Sequence, residues 1–379
     1  MASLSRTRVL RGRDLRAAVL DRVDLRKADL AGSRLEGASL TGARLDQASF
    51  DGANLRGARL DGAVLRGARL GCVGAAMPAP CAVLEGAVLA GAQLQSAHLD
   101  GADLTRARLD GAQMQAASLD GAVLASASLA DAQMQAASLR GARLHGAILD
   151  RAQFQGATLE GAVLRAASLA DAQMQGADLK GVDLSATLLR RTQMQGAVLQ
   201  RAVLRFAWLE DALVIGLRLQ DTELEGVQAE RLDLDDRPPC ETFTTQGRGC
   251  VQLQAWIDWR GRALSVVPRG QARDAAAERL GRVDWGMRAT RPVLPRPPPS
   301  PLAVAEGLAV LGCLPDGAPH AARALLRQMT LPAGEARHLD GRSALLALRL
   351  LDPACAGAVG LDADERGRLR DLASRDLPS

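Results

Sequence analysis

From Leu10 to Leu70 every fifth residue is Leu, with Phe50 as the one substitution. The series resumes at Leu84 and runs to Leu209, where Met114, Met134, Phe154, Met174 and Met194 stand in for Leu. Two positions before these plugs sits Ala in nearly every repeat, as in Ala38, Ala43, Ala48, Ala82, Ala87 and Ala92. Two mostly polar or small residues separate each plug from the next Ala, and a third lies between that Ala and its own plug. A period of five fits neither the helix (3.6) nor the strand (2.0), so the chain turns a corner every five residues. The plug and the small residue before it point inward, and the remaining three face water. Gly recurs at the corner (Gly37, Gly42, Gly52, Gly57, Gly101, Gly111), where a tight turn favours a residue without a Cβ.

This pattern divides the chain. A first repeat block covers 8–70, and residues 71–81, with Pro78 and Pro80, form a loop interrupting the solenoid. Leu70 to Leu84 spans fourteen residues where three repeats need fifteen, so a one-residue slip of register is expected there. The loop is either a partner-contacting excursion or a simple insertion. A second block runs over 82–236 and decays at its end, where Phe206, Trp208, Leu213, Val214 and Ile215 are expected to cover the open solenoid. Beyond Pro238-Pro239 the period vanishes. Residues 237–290 read as a strand–helix region, with a hairpin at 251–267 and a helix at 271–283. Residues 291–301 read as a Pro-rich linker. Residues 302–379 read as a short-helix region with helices at about 302–312, 319–330, 342–351 and 362–374.

The A-x-L-x-x run over some 60% of the chain resembles the pentapeptide-repeat family. The resemblance implies an all-β right-handed quadrilateral β-helix with four pentapeptides per coil, here followed by a small mixed, mainly α-helical C-terminal region. With coils stacked at roughly 4.8 Å, ten or eleven of them make a rod on the order of 50 Å long.

A second period, of twenty residues, then becomes meaningful. Gln triplets recur as Gln93-Leu94-Gln95, Gln113-Met114-Gln115, Gln133-Met134-Gln135, Gln153-Phe154-Gln155, Gln173-Met174-Gln175 and Gln193-Met194-Gln195. Twenty residues make one coil, so all six fall on one face, about 24 Å tall. Their centres stack as an internal Met/Phe column, which is core packing. The twelve glutamines are expected outside as two ladders. They either stiffen the rod by amide–amide bonds between copies or offer an uncharged docking strip to a protein partner.

Composition narrows the function. Four Phe, four Trp and no Tyr in 379 residues agree with a narrow core of one repeated Leu. The net charge of +4 and a nearly neutral repeat region argue against nucleic acid as a partner, although Arg6, Arg8, Arg11, Arg13 and Arg16 make the start basic. No run of about 20 apolar residues is present to span a bilayer, and the first thirty residues lack a signal-peptide core. The chain therefore reads as cytoplasmic, and its Ala, Gly and Arg richness suits a bacterial source. Cys72, Cys81, Cys240, Cys250, Cys313 and Cys355 then read as reduced thiols; pairing of Cys72 with Cys81 or of Cys240 with Cys250 is the alternative.

Little in the sequence carries chemistry. His98, His145, His320 and His338 look isolated, and no phosphate loop, paired-His metal motif or nucleophile elbow appears. The expectation is a protein that is not an enzyme and holds no cofactor or metal. Arg143, His145, Arg165 and Arg205, and the column Asp100, Asp120, Arg140, Glu160 and Lys180, read as solvated surface. Trp256, Trp259 and Trp285 read as core of the C-terminal region. The leading function is a non-catalytic protein–protein interaction scaffold. The alternative is a DNA-mimic modulator of a topoisomerase such as gyrase, as the resemblance implies for the quinolone-resistance group. The repeat faces depart from that group in not being markedly acidic. An accessory protein in bacterial secretion or envelope assembly is a further alternative.

Overall fold

In the computed structural model, residues 9–73, 80–214, 217, 221–224, 227, 301–313, 318–330, 343–356 and 361–374 are described. The expected hairpin, the helix at 271–283, the linker up to 300, the pair Cys240/Cys250, His338 and the three tryptophans Trp256, Trp259 and Trp285 lie outside them.

The repeats wind into a coil of twenty residues. Parallel bridges join each residue before a plug to its counterpart one coil on, as in Val9↔Asp29↔Ser49 and Gln113↔Gln133↔Gln153. Four such bridges recur per coil, so the coil has four sides. Three kinds of backbone bond repeat along it. The plug N–H of Leu40 donates to Arg59 O (2.7 Å), the bridge N–H of Arg59 donates back to Ala38 O (2.9 Å), and the corner N–H of Gly42 donates to Asp61 O (2.9 Å). A turn bond from Ala43 N to Leu40 O (3.0 Å) closes each corner. Each five-residue unit thereby satisfies its own buried backbone without a long strand.

From Leu30 to Leu199 the Leu, Met and Phe plugs are fully buried, as are nearly all the alanines before them. Each buried Leu contributes about 1.5–3 kcal/mol of apolar transfer free energy. Where the small slot holds a hydroxyl, that group bonds the preceding plug carbonyl: Ser33 to Leu30 O (2.6 Å), Thr187 to Leu184 O (2.6 Å), Thr192 to Leu189 O (2.8 Å). The second corner residue adopts a left-handed backbone, with φ near +60°.

Two expectations are corrected here. The register does not slip at the loop. Bridges Asn54↔Val83, Arg59↔Val88 and Val64↔Gln93 make Leu84 the plug that follows Leu70, so the fourteen residues are one repeat step of five plus nine inserted. The neck of that insertion is closed by an antiparallel bridge and a disulfide between Cys72 and Cys81. A second disulfide joins Cys313 to Cys355. These four cysteines are therefore not reduced thiols, because each reaches a partner at bonding distance; disulfides of this kind persist in oxidising compartments.

Four helices follow: α1 (Pro301–Cys313), α2 (Ala318–Met329), α3 (Ser343–Leu350) and α4 (Ala363–Ala373). Asp362 and Glu365 form a reciprocal capping box at the start of α4. Glu365 also receives Arg323 of α2 at 2.8 Å. Leu308, Leu325, Leu346, Leu350 and Leu369 form the shared core of the four helices. That core also includes Ala166 and Ala186 of the rod, with Phe206 packed against it.

Candidate functional site

The six Gln triplets stack as the twenty-residue period requires, through the bridges Gln93↔Gln113↔Gln133↔Gln153↔Gln173↔Gln193. The two glutamines of a triplet do not share a fate. Gln93, Gln113, Gln133, Gln153, Gln173 and Gln193 occupy the bridge position and are half-exposed. Gln95, Gln115, Gln135, Gln155, Gln175 and Gln195 occupy the first corner position and are buried, Gln115 and Gln155 to 1% exposure. The expectation of two external ladders is thus corrected: one is external and one is tucked into the corner.

The two ladders are cross-linked. Nε2 of Gln95 donates to Oε1 of Gln113 (2.7 Å), Gln115 to Gln133 (2.7 Å), Gln135 to Gln153 (2.5 Å), Gln155 to Gln173 (2.5 Å) and Gln175 to Gln193 (2.6 Å). Each bond climbs one coil, from a corner glutamine to the bridge glutamine above. The bonds do not run between identical copies, as simple stacking would predict. The carbonyls of the six corner glutamines are buried without a hydrogen-bond partner. The outer row is therefore held by an inner one, which fixes its side chains and lowers the entropy a partner would have to remove.

The remaining charged columns are also more ordered than a solvated surface. Ser138 donates to Asp120 (2.5 Å) and Ser168 to Asp150 (2.5 Å), while the backbone N–H of Arg140 donates to Asp120 (2.9 Å). Arg140 lies between Asp120 (3.7 Å) and Glu160 (3.9 Å), and Lys180 meets Asp178 (3.2 Å). Asp131 pairs with Arg151 (2.7 Å) and Asp171 with Arg191 (2.6 Å) one coil apart. Hydrogen bonding to these arginines lowers the pKa of both aspartates.

The basic cluster read from sequence divides in the same way. Arg165 binds Asp183 (2.5 Å) and Arg205 binds Glu223 (2.8 Å). His145 is buried, and desolvation, reinforced by Arg165 and Arg143, pushes its pKa down to about 4. His320 is depressed to about 4 for the same primary reason, beside Arg323, Arg106 and Arg327. These two histidines, isolated in sequence, meet where the helices dock. There Ser126 Oγ lies 2.8 Å from His320 Nδ1, Arg327 donates to Gly146 O, and Gln328 Nε2 donates to Ala186 O (3.3 Å). The docking corner is the column Ser126, Gly146, Ala166, Ala186 and Phe206. It lies two repeats, and hence two sides, from the corner of Gln115, Gln135 and Gln155. The helices occupy one edge of the rod and the glutamines the diagonally opposite one. Sequence reasoning missed this docking edge; its signal was the run of small residues at twenty-residue spacing.

Among the described residues, no group of three His, Cys, Asp or Glu could hold a metal ion, and no helix is long and apolar enough to cross a membrane. Trp208 is buried at the far end of the rod, with Arg190 over its ring at 5.3 Å.

The family profile of pentapeptide repeats matches eight copies, over residues 9–42, 33–71, 80–106, 107–146, 147–185 and 177–213. The chain belongs to the pentapeptide-repeat family. Among solved structures it is similar to HetL, a pentapeptide-repeat protein involved in heterocyst differentiation regulation from the cyanobacterium Nostoc. The identity is 30%, over 57% of this chain and 89% of that one, with a TM-score of 0.48. QnrB1, a plasmid-mediated fluoroquinolone resistance protein, is 18% identical over 64% of this chain and 97% of its own, with a TM-score of 0.35. A pentapeptide-repeat protein of the Arabidopsis thaliana thylakoid lumen is 29% identical over 27% and 67%, with a TM-score of 0.15. No curated protein matches this chain. TM-scores this low carry no functional argument, so the family membership establishes a repeat rod and leaves its partner to the residues themselves.

Proposed function

We propose that this pentapeptide-repeat chain is a non-catalytic protein–protein interaction scaffold. Its right-handed quadrilateral β-helix presents the outer glutamine row to a protein partner. The observation that carries the reading is the cross-linked Gln ladder on the edge away from the docked helices. Six partly exposed amides, five of them already fixed by a buried corner glutamine one coil below, form a flat uncharged strip. Desolvating neutral amides costs less than desolvating charges. A structural role alone does not require the outer row to stay accessible.

The DNA-mimic alternative receives less support. Mimicry needs a field of unpaired negative charge, whereas here Asp131, Asp171 and Asp183 are each neutralised by an arginine. A supercoiling assay with gyrase checks this directly, and inhibition at sub-micromolar protein would reinstate that reading.

The scaffold reading is tested by affinity capture from the native cell with the full chain and a Gln113→Lys/Gln153→Lys variant. Loss of at least one partner from the variant is expected. Retention of every partner would exclude the glutamine row as a docking surface.

A further inference from the structure

The glutamine edge does not end at Gln95. Backbone bonds carry the same corner downward: Gly67 N to Gln95 O (3.0 Å), Gln47 N to Arg66 O (2.9 Å) and Lys27 N to Asp46 O (2.9 Å). The bridge column continues as well, through Gln93↔Val64↔Arg44↔Asp24. The face that bears amides over six coils therefore extends over three more, for a total height of about 38 Å. In those three coils the amides give way to cations.

Arg26, Lys27, Arg44 and Arg66 line a shallow cavity of about 360 Å³, with Asp46 as its one carboxylate. Arg26 is engaged by Asp24 (2.6 Å), and Arg66 faces Asp46 (3.4 Å). Among the described residues Lys27 and Arg44 form no ion pair, and although Asp24 lies close enough to attract Arg44, the cations outnumber the carboxylates and the cavity keeps a net positive charge. Val64 supplies an aliphatic patch beside them.

We propose that this cavity is an anion subsite at the N-terminal end of the glutamine face, and that it seats a cluster of carboxylates on an acidic segment of a protein partner. The proposal rests on the reading that the glutamine face docks a protein. The charge distribution selects the ligand class. A nucleic acid carries phosphates along its whole length and would demand cations along the whole face. Here the bridge column carries only neutral glutamines over the other six coils, and the arginines beside it, Arg151 and Arg191, are each paired with an aspartate. Asp46, on the coil between Arg26 and Arg66, separates the cations. That spacing suits carboxylates distributed along a peptide better than one compact multiply charged ion.

The test uses the full chain and a labelled hexaglutamate peptide, followed by fluorescence anisotropy at low and physiological salt. Saturable, salt-sensitive binding is expected, weakened roughly tenfold in a Lys27→Ala/Arg44→Ala double variant, since each exposed cation contributes only a modest, screened attraction. These two side chains hold no structural ion pair, so the variant retains its fold; circular dichroism checks this. Binding is expected to be unchanged by Gln153→Ala. Absence of saturable binding, equal binding by the double variant, or tighter binding of inorganic triphosphate or duplex DNA than of hexaglutamate would each overturn the subsite. If such a failure coincides with intact glutamine-dependent partner capture, the subsite alone falls. Capture that ignores the glutamines removes the face reading and this inference together.

Discussion

A Cβ built on Gly146 would stand 2.5 Å from the carbonyl oxygen of His320, and 3.1 Å from the Cβ of Ala324. The rod and helix α2 are thus in contact at backbone distance, at a corner residue whose φ is +62°. Gly146→Ala meets both a left-handed strain and a clash with fixed backbone. Gly141→Ala, at φ +61° with nothing within 4 Å, meets only the strain. We expect Gly141→Ala to cost about 1–2 kcal/mol. Gly146→Ala should cost about 1–3 kcal/mol more and selectively loosen the helices. Hydrogen exchange of α2 amides in the two variants checks this; equal protection would contradict the docking geometry.

The helices should also release in acid. His145 and His320 have docked pKa values of about 4 against an ordinary 6.5, because burial and the surrounding Arg106, Arg143, Arg165, Arg323 and Arg327 disfavour the charged form, with Asp103 and Asp183 opposing. A histidine depressed in the docked state binds protons preferentially when undocked. Its contribution is therefore complete above about pH 6.5 and is lost progressively as pH falls toward 4. Exchange of α2 amides should accelerate across that window, and His145→Gln/His320→Asn should flatten the profile. A profile unaffected by the double variant would remove the histidines from the latch.

The disulfides should stabilise the two regions unequally. Cys313–Cys355 closes 42 residues and Cys72–Cys81 closes nine. The chain-entropy relation assigns about 4 kcal/mol to the first and about 2.5 kcal/mol to the second. Reduction should lower the melting temperature of the helical signal while leaving most of the β-signal in place. Thiol titration of the unreduced, denatured chain should find these four cysteines protected.

Within the Gln ladder, Gln155→Ala removes a buried side chain and its bond to Gln173, whereas Gln93→Ala removes a partly exposed one that accepts from no corner glutamine. The first should destabilise the rod by about 1–3 kcal/mol and the second by less than about 1 kcal/mol. Denaturant unfolding of both variants measures the difference. Equal costs would place the two rows in equivalent environments.

Much of this architecture is legible in the sequence because the coil repeats one environment. Leu40 and Ala38 report the same inward positions as dozens of others, and the helix boundaries follow from Pro, Gly and the Asp362 cap. What was not legible depends on contacts between distant segments. The register at the loop required Val64↔Gln93, which local counting from Leu70 to Leu84 misread. The burial of Gln115 required knowing that its amide reaches Gln133 on the next coil. The docking edge required a partner for Ser126, Gly146, Ala166 and Ala186, and that partner lies over a hundred residues away in α1 and α2. The basic cavity became part of the glutamine face only once the coil was continued through the insertion.

If the outer glutamine row is a docking surface, a partner lies within reach of its side chains. The most direct measurement is site-specific photo-crosslinking in the native cell, with the photo-reactive group carried at Gln133 or, as control, at Arg108 on the neighbouring column. The account predicts a discrete protein adduct from Gln133 and none from Arg108. No adduct from Gln133, or the same adducts from both positions, would contradict it.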